Sequence, residues 1–203
     1  MPALSSDWCS KVWLWDAAQK MQRIAAYLHE DDRILEVGCG PGSVCYLLRR
    51  HGHNVTPLDV RDLSFSADVR PVLYDGHRMP FDDASFDVAL LLTVLHHPNP
   101  RTALREAQRV ARRLVIIEDV YSNRAQRWLT CFADSLMNLE FSGHPHANHS
   151  DAGWRRLFDD LGLVLVAAQS CRFPLFFRQA TYYLERAGTR AAPKATRGLG
   201  AGA

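Results

Sequence analysis

The fold is decided by Ile34-Leu-Glu-Val-Gly-Cys-Gly-Pro-Gly42, in which a short apolar strand runs into a glycine-rich turn. Ser43 to His51 follows with a helical pattern, and Gly52 closes it. Glycines in such a turn let the backbone approach a ligand at points where a Cβ atom would collide. Dinucleotide-binding turns read G-x-G-x-x-G, whereas the residue three beyond Gly40 is Ser43. The stretch therefore predicts a strand, turn and helix that hold a ligand other than a dinucleotide.

Strand and helix patterns alternate along the rest of the chain. Phe86 to Leu92 is almost continuously apolar, which is typical of a strand in a parallel sheet covered on both faces. The alternation predicts an α/β fold with a Rossmann-like, doubly wound, mostly parallel seven-stranded sheet and helices on both faces. The predicted strands are Arg33 to Val37, Asn54 to Leu58, Val69 to Tyr74, Phe86 to Leu92, Leu114 to Glu118, Leu163 to Ala168 and Thr181 to Glu185, and the predicted helices are Trp13 to Glu30, Ser43 to His51, Pro100 to Arg113 and Asp151 to Leu161.

A chain of 203 residues is the length of one domain with some additions. Residues 33–186 carry the alternation, and residues 1–32 are expected to form a helical lid segment. Residues 122–150 break the rhythm with a mixed helix from Gln126 to Leu139 and an aperiodic loop, and we interpret them as an insertion over the sheet. Residues 187–203 bury too little apolar surface to offset the entropy of ordering, so a disordered tail is predicted.

Composition argues against several classes of function. A net charge of +2 lacks the basic excess of proteins that neutralise phosphates, so no nucleic-acid partner is expected. Five widely spaced cysteines without a C-x-x-C pair favour neither a disulfide framework nor a zinc site. The start has no signal-peptide pattern, and no apolar run approaches the roughly 20 residues that span a membrane. We expect a cytoplasmic protein without a membrane partner, and the sequence does not indicate its oligomeric state.

Glu36 stands two residues before the first glycine of the turn. A carboxylate at this strand end would repel a pyrophosphate, but it suits a ligand that carries an ammonium and a sulfonium. At these residues the sequence resembles the class I S-adenosylmethionine (SAM) dependent methyltransferases, and more narrowly the small-molecule subgroup that includes ubiquinone and menaquinone biosynthesis methyltransferases.

Later landmarks of that family follow in order, and the resemblance runs from about Ile34 to Glu118. Asp59 ends the second predicted strand, about 20 residues after the glycine turn, where an acidic residue can accept both ribose hydroxyls. Asp75-Gly-His-Arg-Met-Pro-Phe81 resembles the family segment whose Asp takes the adenine amino group. Asp82 to Asp87, followed by an apolar strand and Leu-His-His, resembles the family pattern around its fourth strand.

The resemblance implies SAM as the cofactor. It places the cofactor at a set of strand ends and turns, namely Glu36, Gly38, Cys39, Gly40, Gly42, Asp59, Val60, Asp75, Gly76 and Leu92. No family pattern that identifies the methyl acceptor is found after Glu118.

Histidines supply the candidate catalytic groups. His96 and His97 follow the fourth predicted strand, at the sheet edge where open α/β proteins bind ligands, so either is a candidate general base. The alternative is that one of them packs the start of a helix. His144, His146 and His149 lack a nearby cysteine or carboxylate pair, so we interpret their loop as polar and predict no metal site.

We therefore predict an enzyme that moves a methyl group from SAM to a small, apolar or aromatic metabolite. One alternative is a SAM-binding protein without catalysis, which serves as a regulator or a partner subunit. A second is a methyltransferase acting on nucleic acid or protein, although Leu92-Thr-Val-Leu95 stands where exocyclic-amine methyltransferases carry their proline-rich motif. A third, a nicotinamide oxidoreductase, is disfavoured by the glycine spacing.

Overall fold

A computed structural model describes residues 4–96, 99–120, 149–172 and 178–188 of the chain. Its helices are α1 (Leu4–Ile24), α2 (Ser43–Arg50), α3 (Pro100–Val110) and α4 (Asp151–Asp160), with short 3-10 helices at Ala25–Tyr27 and Ala67–Val69. Its strands are β1 (Arg33–Val37), β2 (Asn54–Asp59), β3 (Val72–Leu73), β4 (Phe86–Leu92), β5 (Ala111–Val120), β6 (Leu163–Arg172) and β7 (Arg178–Arg186).

The strands form one seven-stranded sheet in the order β3-β2-β1-β4-β5-β7-β6. Strands β1 to β5 pair in parallel, and β7 runs antiparallel to both β5 and β6. The predicted fold class is confirmed. Successive connections leave β1 toward β2 on one side and return to β4 on the other, which opens a crevice at the carboxyl ends of β1 and β4. Such a reversal of strand order is where open α/β sheets bind ligands.

Each face of the sheet is covered by its own apolar core. Neighbouring residues of a strand point to opposite faces, so Leu35 and Ile34 of β1 belong to different clusters. The first cluster packs α3 and α4 against the sheet, and the second packs α1 and α2 against the other face. Their largest fully buried side chains include Trp154, Phe158, Ile24 and Leu48.

The end of α3 was predicted three residues too late. The sequence predicts a helix to Arg113, whereas α3 ends at Val110 and Ala111 already pairs with Phe86 in the sheet. Arg113 ion-pairs with Asp32, which lies just before β1. These partners are distant along the chain and favour the extended conformation over a further helical turn.

The start of β3 was also predicted wrongly. The sequence predicts a strand from Val69 to Tyr74, whereas only Val72–Leu73 pairs with β2, and Val69 ends a 3-10 helix. The side chain of Val69 is fully buried against the turn after β1, where a Cβ atom on Gly42 would lie 2.7 Å from it. Burial at this contact, rather than strand pairing, explains its apolar character.

Strands β6 and β7 extend beyond their predicted ends because they pair with each other from Leu163↔Arg186 to Arg172↔Arg178. Helix α1 begins and ends earlier than predicted. Among the described residues, no helix is both long and apolar enough to cross a membrane. The predicted helix at Gln126 to Leu139, most of the insertion at 122–150 and the tail from residue 189 lie outside the described residues.

Candidate functional site

The turn after β1 fits directly against the turn after β4. Gly38 has a φ of +69°, and a Cβ atom on it would lie 2.3 Å from Cγ2 of Val94. Its N–H donates to the carbonyl of Leu58 at 2.8 Å, which ties the same turn to β2. Only glycine fits here, because any other residue would strain the backbone at this positive φ and its Cβ atom would collide with Val94.

Gly40 lies in the same turn but faces open space. Its φ is +52°, nothing lies within 4 Å of the position of a Cβ atom, and its N–H donates to Oδ2 of Asp59 at 2.8 Å. Gly42 follows as the N-cap of α2, with a φ of 78°. The backbone around Gly40 is therefore the part of the turn that a ligand can approach closely.

Asp59 organises the end of β2. Besides Gly40, its carboxylate accepts the N–H groups of Val60 at 2.7 Å and Arg61 at 3.2 Å. An ionised carboxylate has about four acceptor sites. These three bonds leave room for about one further donor, so Asp59 can receive about one ligand hydroxyl while it holds the turn.

The turns after β2 and β3 lie side by side. A Cβ atom on Gly76 would lie 3.5 Å from Cγ1 of Val60, a residue that is 49% exposed. Oδ1 of Asp75 accepts the N–H groups of His77 and Arg78, and these bonds lower the pKa of the Asp75 carboxyl. The structure thus brings Val60, Asp75 and Gly76 together beside an exposed apolar surface.

Glu36, on β1, is the most unusual group at this edge. Its side chain is only 3% exposed, and no described residue hydrogen-bonds its Oε2. Burial raises its pKa to about 8, against the opposing charge of Lys20 and a backbone hydrogen bond from Cys45 in the first turn of α2. A buried carboxylate oxygen without a partner is costly unless a donor or a cation reaches it.

Lys20, on α1, is a candidate site residue that the sequence analysis did not single out. Its Nζ donates to the hydroxyl of Thr93 at 3.1 Å and lies 2.9 Å from Oδ2 of Asp16, and its side chain is 14% exposed. Its cationic charge also acts on Glu36. In the sequence it resembles any lysine on the polar face of an amphipathic helix, so no local signal distinguishes it.

Two residues of the predicted set lie in the core rather than in open space. Cys39 is 5% exposed, and burial raises the pKa of its thiol well above its ordinary value. Leu92 is 7% exposed and packs with the cluster beneath α1 and α2. Their backbones lie at the carboxyl edge of the sheet, whereas their side chains are buried in the core.

The turn after β4 is held by several independent contacts. Thr93 has a φ of +59° and donates its N–H to the carbonyl of Ile117 at 2.7 Å. Glu118, 1% exposed at the end of β5, accepts the N–H groups of Val94 and Leu95 at 2.7 and 2.6 Å. A β-branched residue in the left-handed region costs on the order of 1 to 3 kcal/mol, so this turn is held in place by its surroundings.

His96 follows this turn, and its side chain is 16% exposed. Its Nδ1 lies 3.8 Å from Oε2 of Glu118, the second carboxylate oxygen. His97 lies outside the described residues. The sequence analysis singled out His96 but did not assign a role to Glu118.

Hydrogen bonds from α3 hold the segment that follows Asp75. Arg109 of α3 donates to the carbonyls of Met79 and Phe81 at 3.0 and 2.7 Å, and it pairs with Glu106, which accepts the N–H of Met79. This pairing lowers the pKa of Glu106. Because these bonds join a helix to a loop that is distant in the sequence, the sequence alone did not reveal them.

Within the described ranges, no group of three or more His, Cys, Asp or Glu residues could hold a metal ion. The ring of His149 packs edge-on against Trp154, with 4.8 Å between the ring centroids, and burial lowers the pKa of its imidazole. His144 and His146 lie outside the described residues.

The chain is similar to known proteins in sequence and in fold. Residues 35–116 match the family model described as "Methyltransferase domain". A ubiquinone biosynthesis O-methyltransferase from Maricaulis maris is 35% identical over 92 residues, which cover 39% of this chain and 36% of that protein. The chain therefore matches about a third of the length of this curated relative.

Solved structures show the same fold. A magnesium protoporphyrin IX methyltransferase from Synechocystis with bound S-adenosylhomocysteine superposes with a TM-score of 0.62 at 16% identity, covering 85% of this chain and 83% of its own. A geranyl diphosphate C-methyltransferase from Streptomyces coelicolor gives a TM-score of 0.64 at 14% identity, covering 83% of this chain and 78% of its own. At these identities the likeness concerns the fold alone.

Proposed function

We propose that this chain, whose central part is a class I SAM-dependent methyltransferase domain, moves the methyl group of SAM to a small apolar or aromatic acceptor. The sequence-based recognition of the family is confirmed, and SAM is the cofactor of that class. The acceptor and the roles of individual residues are proposals that the geometry supports.

The observation that carries the proposal is the unpartnered oxygen of Glu36. The carboxyl belongs to β1, two residues before the glycine turn, and its burial raises its pKa to about 8. SAM carries an ammonium on its methionine part, and such a cation would supply the partner that Oε2 lacks. The bond formed would be charge-assisted and correspondingly strong.

Other groups of the edge match the remaining parts of the cofactor. Lys20 is a cation suited to the methionine carboxylate, and Asp59 retains room for a ribose hydroxyl. The half-exposed side chain of Val60, beside Gly76 and Asp75, offers an apolar surface and an acceptor for the adenine ring. These fits rest on the chain's own atoms and extend the sequence-based assignment by one residue, Lys20.

SAM supplies an electrophilic methyl group on a sulfonium. The chain's contribution is to hold the acceptor in line with that carbon, since alignment of reacting groups accounts for much of a rate enhancement. Helix α1 reaches the ends of β4 and β7 through Lys20 and Arg23, which supports its proposed role as a lid that excludes water. We assign proton removal from the acceptor to His96.

An acceptor hydroxyl is the first chemistry to test, because the curated relative is an O-methyltransferase. A phenol also fits a general base, since its proton must leave before or during methyl transfer. Nitrogen and carbon acceptors remain further arms of the same screen.

The test begins with calorimetry of the purified chain against SAM, S-adenosylhomocysteine and NAD. We expect the first two to bind and NAD not to bind, and we expect Glu36→Gln to weaken binding while the exposed Glu30→Gln does not. Labelled SAM is then incubated with phenols, amines and, in separate arms, RNA and protein. Binding without transfer to any arm would favour a non-catalytic SAM-binding protein, and labelled RNA or protein would overturn the small-molecule acceptor.

A further inference from the structure

We propose that Glu118 is a positioning residue for His96, holding the imidazole so that its Nε2 accepts the proton of the methyl acceptor. The proposal rests on the proposed function, because it assigns a partner to the base of that reaction. It adds Glu118 on β5, which follows the set of cofactor residues that ends at Leu92.

The first support is the environment of the Glu118 carboxylate. It is 1% exposed, and its Oε1 accepts both N–H groups of the turn after β4, those of Val94 and Leu95. With one oxygen fixed by two short bonds, the other oxygen has a defined direction. That second oxygen, Oε2, is the one 3.8 Å from Nδ1 of His96.

The second support is the rigidity of the segment that carries His96. Thr93 is held in the left-handed region, its N–H is bonded to Ile117, and its hydroxyl accepts from Lys20 on α1. Side chains that must be placed precisely for chemistry are held by such surrounding bonds. Contacts from α1 and β5 therefore fix the turn that leads to the His96 imidazole.

A separation of 3.8 Å is too long for a hydrogen bond, but it is a close approach for two charges. A carboxylate beside Nδ1 favours the tautomer that carries its proton there, which leaves Nε2 as the basic nitrogen. It also stabilises the imidazolium that forms when Nε2 takes a proton.

In the step itself, the acceptor atom forms a bond to the methyl carbon while the carbon–sulfur bond breaks. The electron pair of the broken bond stays on sulfur, and the acceptor's proton passes to Nε2 of His96. Glu118 gains and loses no proton. It compensates the positive charge that has moved onto the ring.

Other charged and titratable groups reach the same region and belong in the experiment. Lys20 lies at Thr93, and its charge opposes protonation of a nearby imidazole. Tyr182 of β7 lies within electrostatic range of Glu118 and donates its hydroxyl to Asp151 at 2.7 Å, and its pKa is raised by burial. These groups are unchanged by a substitution at Glu118, so a difference between variants reports on that carboxylate.

A purely structural role would be to cap the turn. Glu118→Gln separates the two roles, because its amide oxygen can still accept the two N–H bonds while the negative charge is gone. If Glu118 acts on His96, turnover should fall by about tenfold to a hundredfold with the KM for SAM unchanged. The acid limb of kcat should also move to lower pH, because an imidazole without a neighbouring carboxylate holds its proton less tightly. Glu118→Asp, which keeps the charge, should recover part of the turnover.

The double variant His96→Gln/Glu118→Gln supplies the decisive comparison. If Glu118 works through His96, the double variant should be no slower than His96→Gln alone. Losses that multiply, or an acid limb that does not move in Glu118→Gln, would show that Glu118 only caps the turn and would overturn the proposal. Circular dichroism and thermal melting establish that each variant is folded.

Nitrogen NMR of the histidine side chains tests the pair without any turnover. In the wild-type chain we expect the tautomer protonated at Nδ1 for His96, identified by its loss in His96→Gln, and a titration at higher pH than in Glu118→Gln. The opposite tautomer would overturn the proposal even if Glu118→Gln failed to fold. Absence of methyl transfer together with the expected tautomer would instead overturn the proposed function and leave the pair intact.

Discussion

Two buried glutamates lie at the carboxyl edge of the sheet, Glu36 on β1 and Glu118 on β5, and they differ in what satisfies their oxygens. Glu36 has one oxygen without a hydrogen-bond partner among the described residues. Glu118 has one oxygen bonded to two backbone N–H groups and the other directed at His96. Their exposures are almost the same, at 3% and 1%, so burial does not distinguish them.

This difference indicates that the β1 and β5 sides of the edge have different roles. A buried acceptor that no described residue satisfies indicates a ligand that completes it, whereas one that accepts backbone N–H groups indicates a group held for its neighbours. This contrast supports the proposal that the β1 side binds the cofactor and the β5 side serves the acceptor chemistry. Strand β4 lies between them, and its turn touches both through Val94.

The largest expected effect lies on the β5 side. His96→Gln keeps a polar side chain but removes the titrating base, so turnover should fall by about 10² to 10⁴ while SAM affinity stays unchanged. The rate of the wild-type chain should rise with pH through the titration of the imidazole, and this acid limb should be absent from the variant. His29→Gln serves as the control, and steady-state kinetics between pH 5 and 9 measure both features. Near-normal turnover with the same acid limb would make His96 structural.

The contact between Gly38 and Val94, which joins the two sides, should give the second largest effect when it is disturbed. Gly38→Ala places a Cβ atom 2.3 Å from Val94 in a left-handed residue, and overpacking of this kind costs about 1 to 3 kcal/mol before backbone strain is added. Gly52→Ala has a similar φ of +87° with nothing within 4 Å, so it should lose only the smaller strain contribution. Urea denaturation measures both free energies of unfolding.

A double variant, Gly38→Ala/Val94→Ala, sharpens that result. Removing the two methyl groups of Val94 relieves the closest contact, so part of the lost stability should return. Equal losses in Gly38→Ala and Gly52→Ala would mean that backbone conformation, and not the contact between the two turns, sets the requirement for glycine.

On the β1 side, Glu36→Gln removes the carboxyl group that would ionise on pairing with the cofactor's ammonium. A charge-assisted hydrogen bond contributes about 1.5 to 3 kcal/mol, so SAM affinity should fall by about tenfold to 150-fold. Glu118→Gln is the matched control, since it changes an equally buried glutamate and should leave SAM affinity unaltered. Calorimetry measures both dissociation constants. Equal losses of SAM affinity in the two variants would contradict the proposal that only the β1 side binds the cofactor.

The smallest effect is a dependence of stability on pH. The folded-state pKa of Glu36 is raised to about 8, whereas an unfolded glutamate titrates near 4.3, so the folded chain holds this proton more tightly. That contribution is fully present at and below the unfolded pKa and is lost as the pH rises toward 8. Between pH 6 and 8 the wild-type chain should lose about 2 kcal/mol more than Glu36→Gln does. Parallel denaturation curves at both pH values provide the measurement, and an equal loss in the two proteins would contradict the raised pKa.

Several elements of the fold could be predicted because their signals are local in the sequence. Apolar strands, the spaced glycines and the acidic residues at strand ends are patterns within a few residues, and they placed the sheet, the turn after β1 and the cofactor class. Physical reasons are equally local, because side-chain alternation and backbone freedom depend on near neighbours.

Other features of the fold and the site depend on contacts between residues that are far apart in the sequence. Lys20 meets Thr93 across 73 positions of the chain, Glu118 meets Val94 across 24, and Arg113 meets Asp32 across 81. No periodicity records such contacts, because they depend on which strands become neighbours in the sheet. The same reason ended α3 early, since pairing of Ala111 with Phe86 outweighed a helical pattern that continued to Arg113.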